Sequence, residues 1–186
     1  MKHLRSTLRL IQMVCAAFIL FSIAFTIQAQ IQLQRPKSEQ RLPNPYMMGA
    51  PRDEIITSTK QMFEAREIPL DKEDCNQLTG ECTIISKPVI FIKGTTTRSQ
   101  LEHYCDVPAA NVQNWSRGRY VLRIQIAPAS PRQSQVSVHC KFEGMVDSFT
   151  GNEWVQLNSK GVLEDDLMRC IEDRVRGGNC ENIKPR

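Results

Sequence analysis

The sequence predicts an α+β fold of helix-grip type: an antiparallel sheet of about four to five strands, a C-terminal helix packed on one face, and a shorter N-terminal helix. Three observations carry that expectation. Two runs, "GRYVLRIQIAP" (118–128) and "SQVSVHCKFEG" (134–144), alternate apolar and polar residues. Leu122, Ile124 and Ile126 in the first, and Val136, Val138, Cys140 and Phe142 in the second, fall on one side of a strand, so one face is buried and the other is wet. The "ASPRQ" between them has the length of a hairpin loop. The third observation is "VLEDDLMRCIEDRVRGG" (162–178), where Leu163, Leu167, Cys170 and Ile171 recur at the spacing of one helical face.

The elements follow in chain order. Residues 1–29 read as a secretory signal, with Lys2, Arg5 and Arg9 ahead of an apolar stretch from Met13 to Ile27 that only Ser22 and Thr26 interrupt. The competing reading is an uncleaved membrane anchor, because that stretch approaches the roughly 18–20 residues that span a bilayer. Residues 30–52 hold four prolines and many Gln and Arg residues without a sustained period, which is the composition of a flexible linker. Tyr46, Met47 and Met48 are its candidate anchors for a partner. The domain proper is expected at 53–182, followed by a tail at 183–186.

Pro51, Asp53 and Glu54 open a predicted helix over 51–69 whose Ile55, Thr59, Met62 and Phe63 share a face and which Pro69 closes. "CNQLTGEC" (75–82) is a turn with a cysteine at each end. "TIISKPVIFIKG" (83–94) is β-branched and apolar, hence a strand, and Pro88 requires an edge position or a bulge because it cannot donate to a ladder. "QLEHYCDV" (100–107) reads as a short strand, and "EWVQL" (153–157) as the last one, with Trp154 packing under the helix that follows. For that helix Gly161 is the N-cap, Glu164, Asp165 and Asp166 complement the positive end of the dipole, Arg169, Arg174 and Arg176 the negative end, and Gly177–Gly178 the stop.

Charge and cysteine content limit the function classes. The formal charge of +4 falls to +1 without residues 1–29, leaving 21 Lys and Arg against 20 Asp and Glu scattered along the chain. No global field then draws nucleic acid, and the membrane is reached only through an uncleaved N-terminal segment, if at all. Six cysteines remain: Cys75, Cys82, Cys105, Cys140, Cys170 and Cys180. An even number in a secreted chain favours disulfides. Cys75–Cys82 staples the turn, Cys105–Cys140 is a cross-strand candidate, and Cys170–Cys180 competes with Cys140–Cys170. The neighbouring pairs His103 with Cys105 and His139 with Cys140 suit zinc in kind, but His139 and Cys140 point to opposite faces of one strand, so no metal or cofactor is expected.

The segments "GRYVLRIQI", "QVSVHCKFEG" and "WVQLNSKGVLEDDLMRCIEDRV" together resemble the BamC-like domains, envelope domains of the outer-membrane β-barrel assembly machinery, over about residues 115–176. The last resembles their W…S-x-G-x-L-E-x-x-L-x-x-I run. The chain departs from that family in lacking a lipidation cysteine in context and in having one domain and six further cysteines. The resemblance implies a helix-grip fold and an envelope location.

No G-x-S-x-G, H-E-x-x-H or G-x-x-x-x-G-K-[ST] occurs, so no catalytic residue is nominated. The chain reads as a secreted or periplasmic non-enzymatic envelope protein, a structural or interaction module with an unidentified envelope partner. The alternative is a helix-grip carrier of a lipid or other hydrophobe. Trp115, in "VQNWSRG", is balanced between an interface anchor and a core residue.

Overall fold

The computed structural model describes residues 41–94, 97–108, 114–148 and 151–180. Eight strands and three helices are found among them: β1 Tyr46–Met48, α1 Arg52–Ala65, β2 Leu70–Cys75, β3 Cys82–Ser86, β4 Val89–Lys93, α2 Thr97–Tyr104, β5 Cys105–Asp106, β6 Asn114–Ser130, β7 Gln133–Ser148, β8 Gly151–Ser159 and α3 Val162–Val175. The α+β class holds, whereas the expected four to five strands and two helices do not. The predicted signal at 1–29 and the tail at 183–186 lie outside the described residues. No helix among the described residues is long and apolar enough to cross a membrane.

The β6–β7 hairpin is the spine. Its 17- and 16-residue strands pair from Asn114 with Asp147 to Ser130 with Gln133, about 55 Å at the rise of an extended chain. A ribbon of that length twists strongly, so no single flanking strand can follow it throughout. Each side is served by two strands instead. β3 pairs β6 at Arg123–Ile126, and β4 pairs it at Arg117–Tyr120. On the other side β8 pairs β7 at Phe142–Ser148, and β1 pairs it at Ser134–Val136. β2 lies outside β3, and β5 outside β8, giving the order β2-β3-β6-β7-β8-β5.

Three of these elements differ from expectation for identifiable reasons. The 83–94 run splits at Lys87–Pro88, and a register shift between Ile90 and Ile92 accommodates the break that Pro88 demanded. β2, "LDKEDC", is exposed at every position and so carries no alternation to read; it is a charged edge strand. "QLEHYCDV" contains the end of α2 instead of a strand. Thr97, Leu101 and Tyr104 are its buried residues, at helical spacing, and Arg98 pairs with Glu102 one turn on. Only Cys105–Asp106 remains as strand. The expected linker at 30–52 also gives up its last part: Tyr46–Met48 is β1, with Met48 buried and Met47 exposed.

All three helices cover the same sheet face. α3 lays Leu163, Leu167 and Ile171 where Leu122, Ile124, Val136 and Val138 point up, and none of these is more than 5% exposed. Each such burial contributes roughly 1.5–3 kcal/mol. α1 packs beside it through Ile55, Met62 and Phe63. Phe142 anchors the centre, with ring centroids of Phe91, Tyr120 and Tyr104 at 5.8, 6.1 and 6.2 Å. Trp115 fills the far end over Gly144, where a Cβ would stand 2.4 Å from the indole.

Truncating Leu167 should leave a cavity in this sandwich. Leu167→Ala is expected to cost about 2–5 kcal/mol in denaturant unfolding, with the slope unchanged.

Candidate functional site

Three arrangements outside the apolar core carry chemistry: a seam of side chains along the hairpin, a buried polar cluster between the helices, and the open sheet face.

The seam lies where the flanking strands hand over. Between β3 and β4, the Leu122 N–H donates to the Ser86 hydroxyl at 2.8 Å. Between β8 and β1, the Val138 N–H donates to Asn44 Oδ1 at 3.1 Å while Asn44 Nδ2 donates to the Val138 carbonyl at 2.6 Å. The Cys140 N–H donates to Glu164 Oε1 at 3.2 Å. Glu164, one of two acids in the first turn of α3, is thus a buried sheet partner as well, and its Oε2 is buried without a partner. Asp165 accepts from the Leu42 N–H at 2.7 Å and from Arg169 at 3.0 Å. Together with Arg41, which donates to the Lys160 carbonyl, these bonds strap residues 41–44 across the start of α3. Arg41, Asn44, His139, Gly161 and Glu164 line a cleft of about 240 Å³ there.

The third acidic residue of that trio, Asp166, faces the polar cluster instead. Burial raises its pKa against the pull of Arg66. The Arg66 guanidinium has its own pKa lowered, again mainly by burial, and its Nε and Nη2 are buried without hydrogen-bond partners. Burial pushes the neighbouring Tyr120 hydroxyl up to about 12 and raises that of Tyr104. Helix α3 thus assigns its three adjacent acids to three separate duties.

The cysteines divide two ways. Cys75–Cys82 and Cys170–Cys180 are bonded, with Cα separations of 4.0 and 5.2 Å. The rival Cys140–Cys170 bridge is therefore not formed. Cys105 and Cys140 are buried free thiols, so the cross-strand bridge expected between them is absent as well. The reason is topological: β5 pairs β8, and β8 stands between it and β7. Two strand spacings are about 9.5 Å, beyond the roughly 7 Å over which a disulfide closes. Burial pushes the Cys105 thiol up to about 12 and the Cys140 thiol well above the ordinary range. Glu73 lies with Cys75 and Cys82 in metal-binding proximity, but the two sulfurs are bonded to each other.

The open face is made by the residues that alternate away from the helices. Arg117, Arg119, Val121 and Arg123 of β6 stand beside Met145, Glu143, Lys141 and His139 of β7. Glu143 holds Arg119 at 2.6 Å and Lys141 at 2.9 Å. Burial would raise its pKa, but the hydrogen bonds from Lys141 and Arg119 outweigh burial and lower it. The Arg119 guanidinium also lies 3.9 Å from the centroid of Trp154.

Of the two tryptophans, only Trp154 leaves its expected place, while Trp115 takes one of the two roles between which it was balanced. Trp154 is half-buried on the open face rather than under α3, and Trp115, at 4% exposure, is core rather than an interface anchor. Of the other proposed anchors, Tyr46 donates its hydroxyl to Glu172 at 2.8 Å, Met48 is core, and Met47 alone is exposed. The open face was missed because its cations are scattered along the sequence, although the alternation that buried Leu122 and Ile124 also aligned Arg119, Arg123 and Lys141.

No protein-family model, curated protein or solved structure matches this chain.

Two measurements follow. In the chain without residues 1–29, a thiol reagent should find neither Cys105 nor Cys140 in the native state, and two thiols once it is unfolded without reductant; a native count of two would contradict their burial. Asp166 has a folded pKa above its unfolded value, so its contribution is full below the ordinary aspartate pKa and is lost as pH rises through the raised value. Asp166→Asn should remove that decline from a plot of unfolding midpoint against pH.

Proposed function

We propose that this protein is a non-enzymatic module of the extracytoplasmic space that binds an envelope partner through the open face of its sheet. Two disulfides among the described residues suit an oxidising compartment. The BamC-like pattern over 115–176 agrees with an envelope role and with the β6-β7-β8-α3 succession.

The observation that carries the reading is the asymmetry of the sheet. Its covered face is closed by α1, α2 and α3, with Leu122, Ile124, Val138, Phe142, Leu167 and Ile171 at zero exposure. That packing weighs against a carried lipid, which needs a cavity of about 300–1,000 Å³ between helix and sheet. No helix among the described residues lies on the opposite face, which presents Arg119 over Trp154, residue types enriched at binding hot spots. The two free thiols among the described residues are buried and protonated, which withholds them from nucleophilic work.

A photo-crosslinking residue at Val121 should give partner adducts in the native host, whereas one at Thr57, on the exposed side of α1, should give none. Adducts from Thr57 alone would place binding on the helices and discard this reading.

A further inference from the structure

We infer that the open sheet face is a docking track for a linear polyanion outside the cytoplasm, an acidic polysaccharide bearing carboxylate groups. This rests on the reading that the open face is the binding surface, and adds the chemistry of what binds.

The inference comes from the spacing and balance of charge. On β4, β6 and β7 the register turns Lys93, Arg117, Arg119, Lys141 and Arg123 outward. On these three central strands two carboxylates stand against the five cations: Glu143 in the middle and Asp147 at the tip, where it accepts from the Ser116 hydroxyl; farther out on the same face lie Asp106 of β5, beyond β8, and the Lys72–Asp74 ion pair of β2, beyond β3. The cations are ordered. Arg117 and Arg119 occupy successive outward positions of β6; Lys141 sits beside Val121 at the next, and Arg123 holds the one after. Two residues of extended chain advance about 6.8 Å, so one cation stands at each of four consecutive levels over about 20 Å.

Neutralisation along the track is uneven. Glu143 is committed to Arg119 and Lys141, which fixes both side chains. Arg117, Arg123 and Lys93 form no ion pair with any described residue, and Arg117 and Arg123 are exposed. Fixed cations in the middle and unpaired ones at both ends favour an extended chain of repeating negative charge over a single acidic group. Arg119 roofs Trp154, and Val121 and Met145 supply apolar contact between the charges, which suits the faces of sugar rings. The disulfides suit an oxidising compartment, where polyanions are chiefly glycans and lipid headgroups. A band of cations about 10 Å wide, over three strands, and about 20 Å long fits an extended chain better than a bilayer.

Calorimetric titration of the mature chain with polygalacturonate, against dextran as the neutral control, tests this at low and physiological salt. Binding of the polyuronate and not of dextran is expected, weakening as salt rises. Arg117→Gln combined with Arg123→Gln should reduce affinity roughly tenfold and flatten the salt dependence. Lys60→Gln combined with Arg176→Gln removes the same charge from the helical side and should change neither. Wild-type binding by the Arg117/Arg123 variant would overturn the track. Tighter binding of an oligothymidylate than of the polyuronate would overturn the choice of polyanion. If the polyuronate does not bind while Val121 still crosslinks a partner, the polyanion is wrong and the open-face reading stands; loss of both removes both.

Discussion

At the level of Leu122 and Cys140, both neighbours of the central hairpin let go. The two residues face each other across β6 and β7, β3 hands over to β4 beside one of them, and β8 to β1 beside the other. A buried backbone N–H without a partner costs about 1–3 kcal/mol, so the gaps cannot stay open. Ser86, Asn44 and Glu164 close them with side chains. This is the constraint on which the rest depends. It fixes the β3–β4 break, ties the N-terminal strap to β7, and pins the first turn of α3 to the sheet it covers.

That closure also explains how a buried carboxylate is tolerated at Glu164. It replaces a strand partner that the twist of the hairpin has carried away, and the Cys140 N–H is its return. The neighbouring acids have separate work, Asp165 on the strap and Asp166 toward Arg66. Three adjacent charges at a helix N-terminus look like one dipole effect. Here the helix faces three different environments within a single turn, and position around that turn decides each role.

Much of the fold could be read because its information is periodic. The strict alternation of 118–128 and 134–144 gave the hairpin and its buried face, and the spacing of Leu163, Leu167 and Ile171 gave α3 to within a residue. Cys75–Cys82 was legible because its short loop leaves it little choice, whereas Cys170–Cys180 had Cys140–Cys170 as a rival that the sequence could not remove. What failed lacked a period. β2 has no buried residue, and α2 is eight residues long, a length at which Leu101, His103 and Cys105 fit a strand as well as Thr97, Leu101 and Tyr104 fit a helix. The Cys105–Cys140 pairing was lost for another reason. It assumed that the two segments are adjacent strands, and the sheet places β8 between them.

The tryptophans show how little a residue type settles when parity is unknown. Outward positions of β6 are odd-numbered from Arg117 to Arg123, and continued alternation would put Trp115 outward too. The register shifts by one residue between Trp115 and Arg117, and that bulge turns the indole inward onto Gly144, where the missing Cβ makes room for it. Nothing in "QNWSRG" announces the bulge. Trp154 is the opposite case. In "EWVQL", Val155 and Leu157 share one face and Trp154 and Gln156 the other, so a purely apolar pair competes with a mixed one for the core. Leu157 is buried and Gln156 exposed, so alternation already determined that Trp154 faces outward. Size suggested the core for this indole; the company it keeps along the strand put it under Arg119, on the face that no helix among the described residues covers.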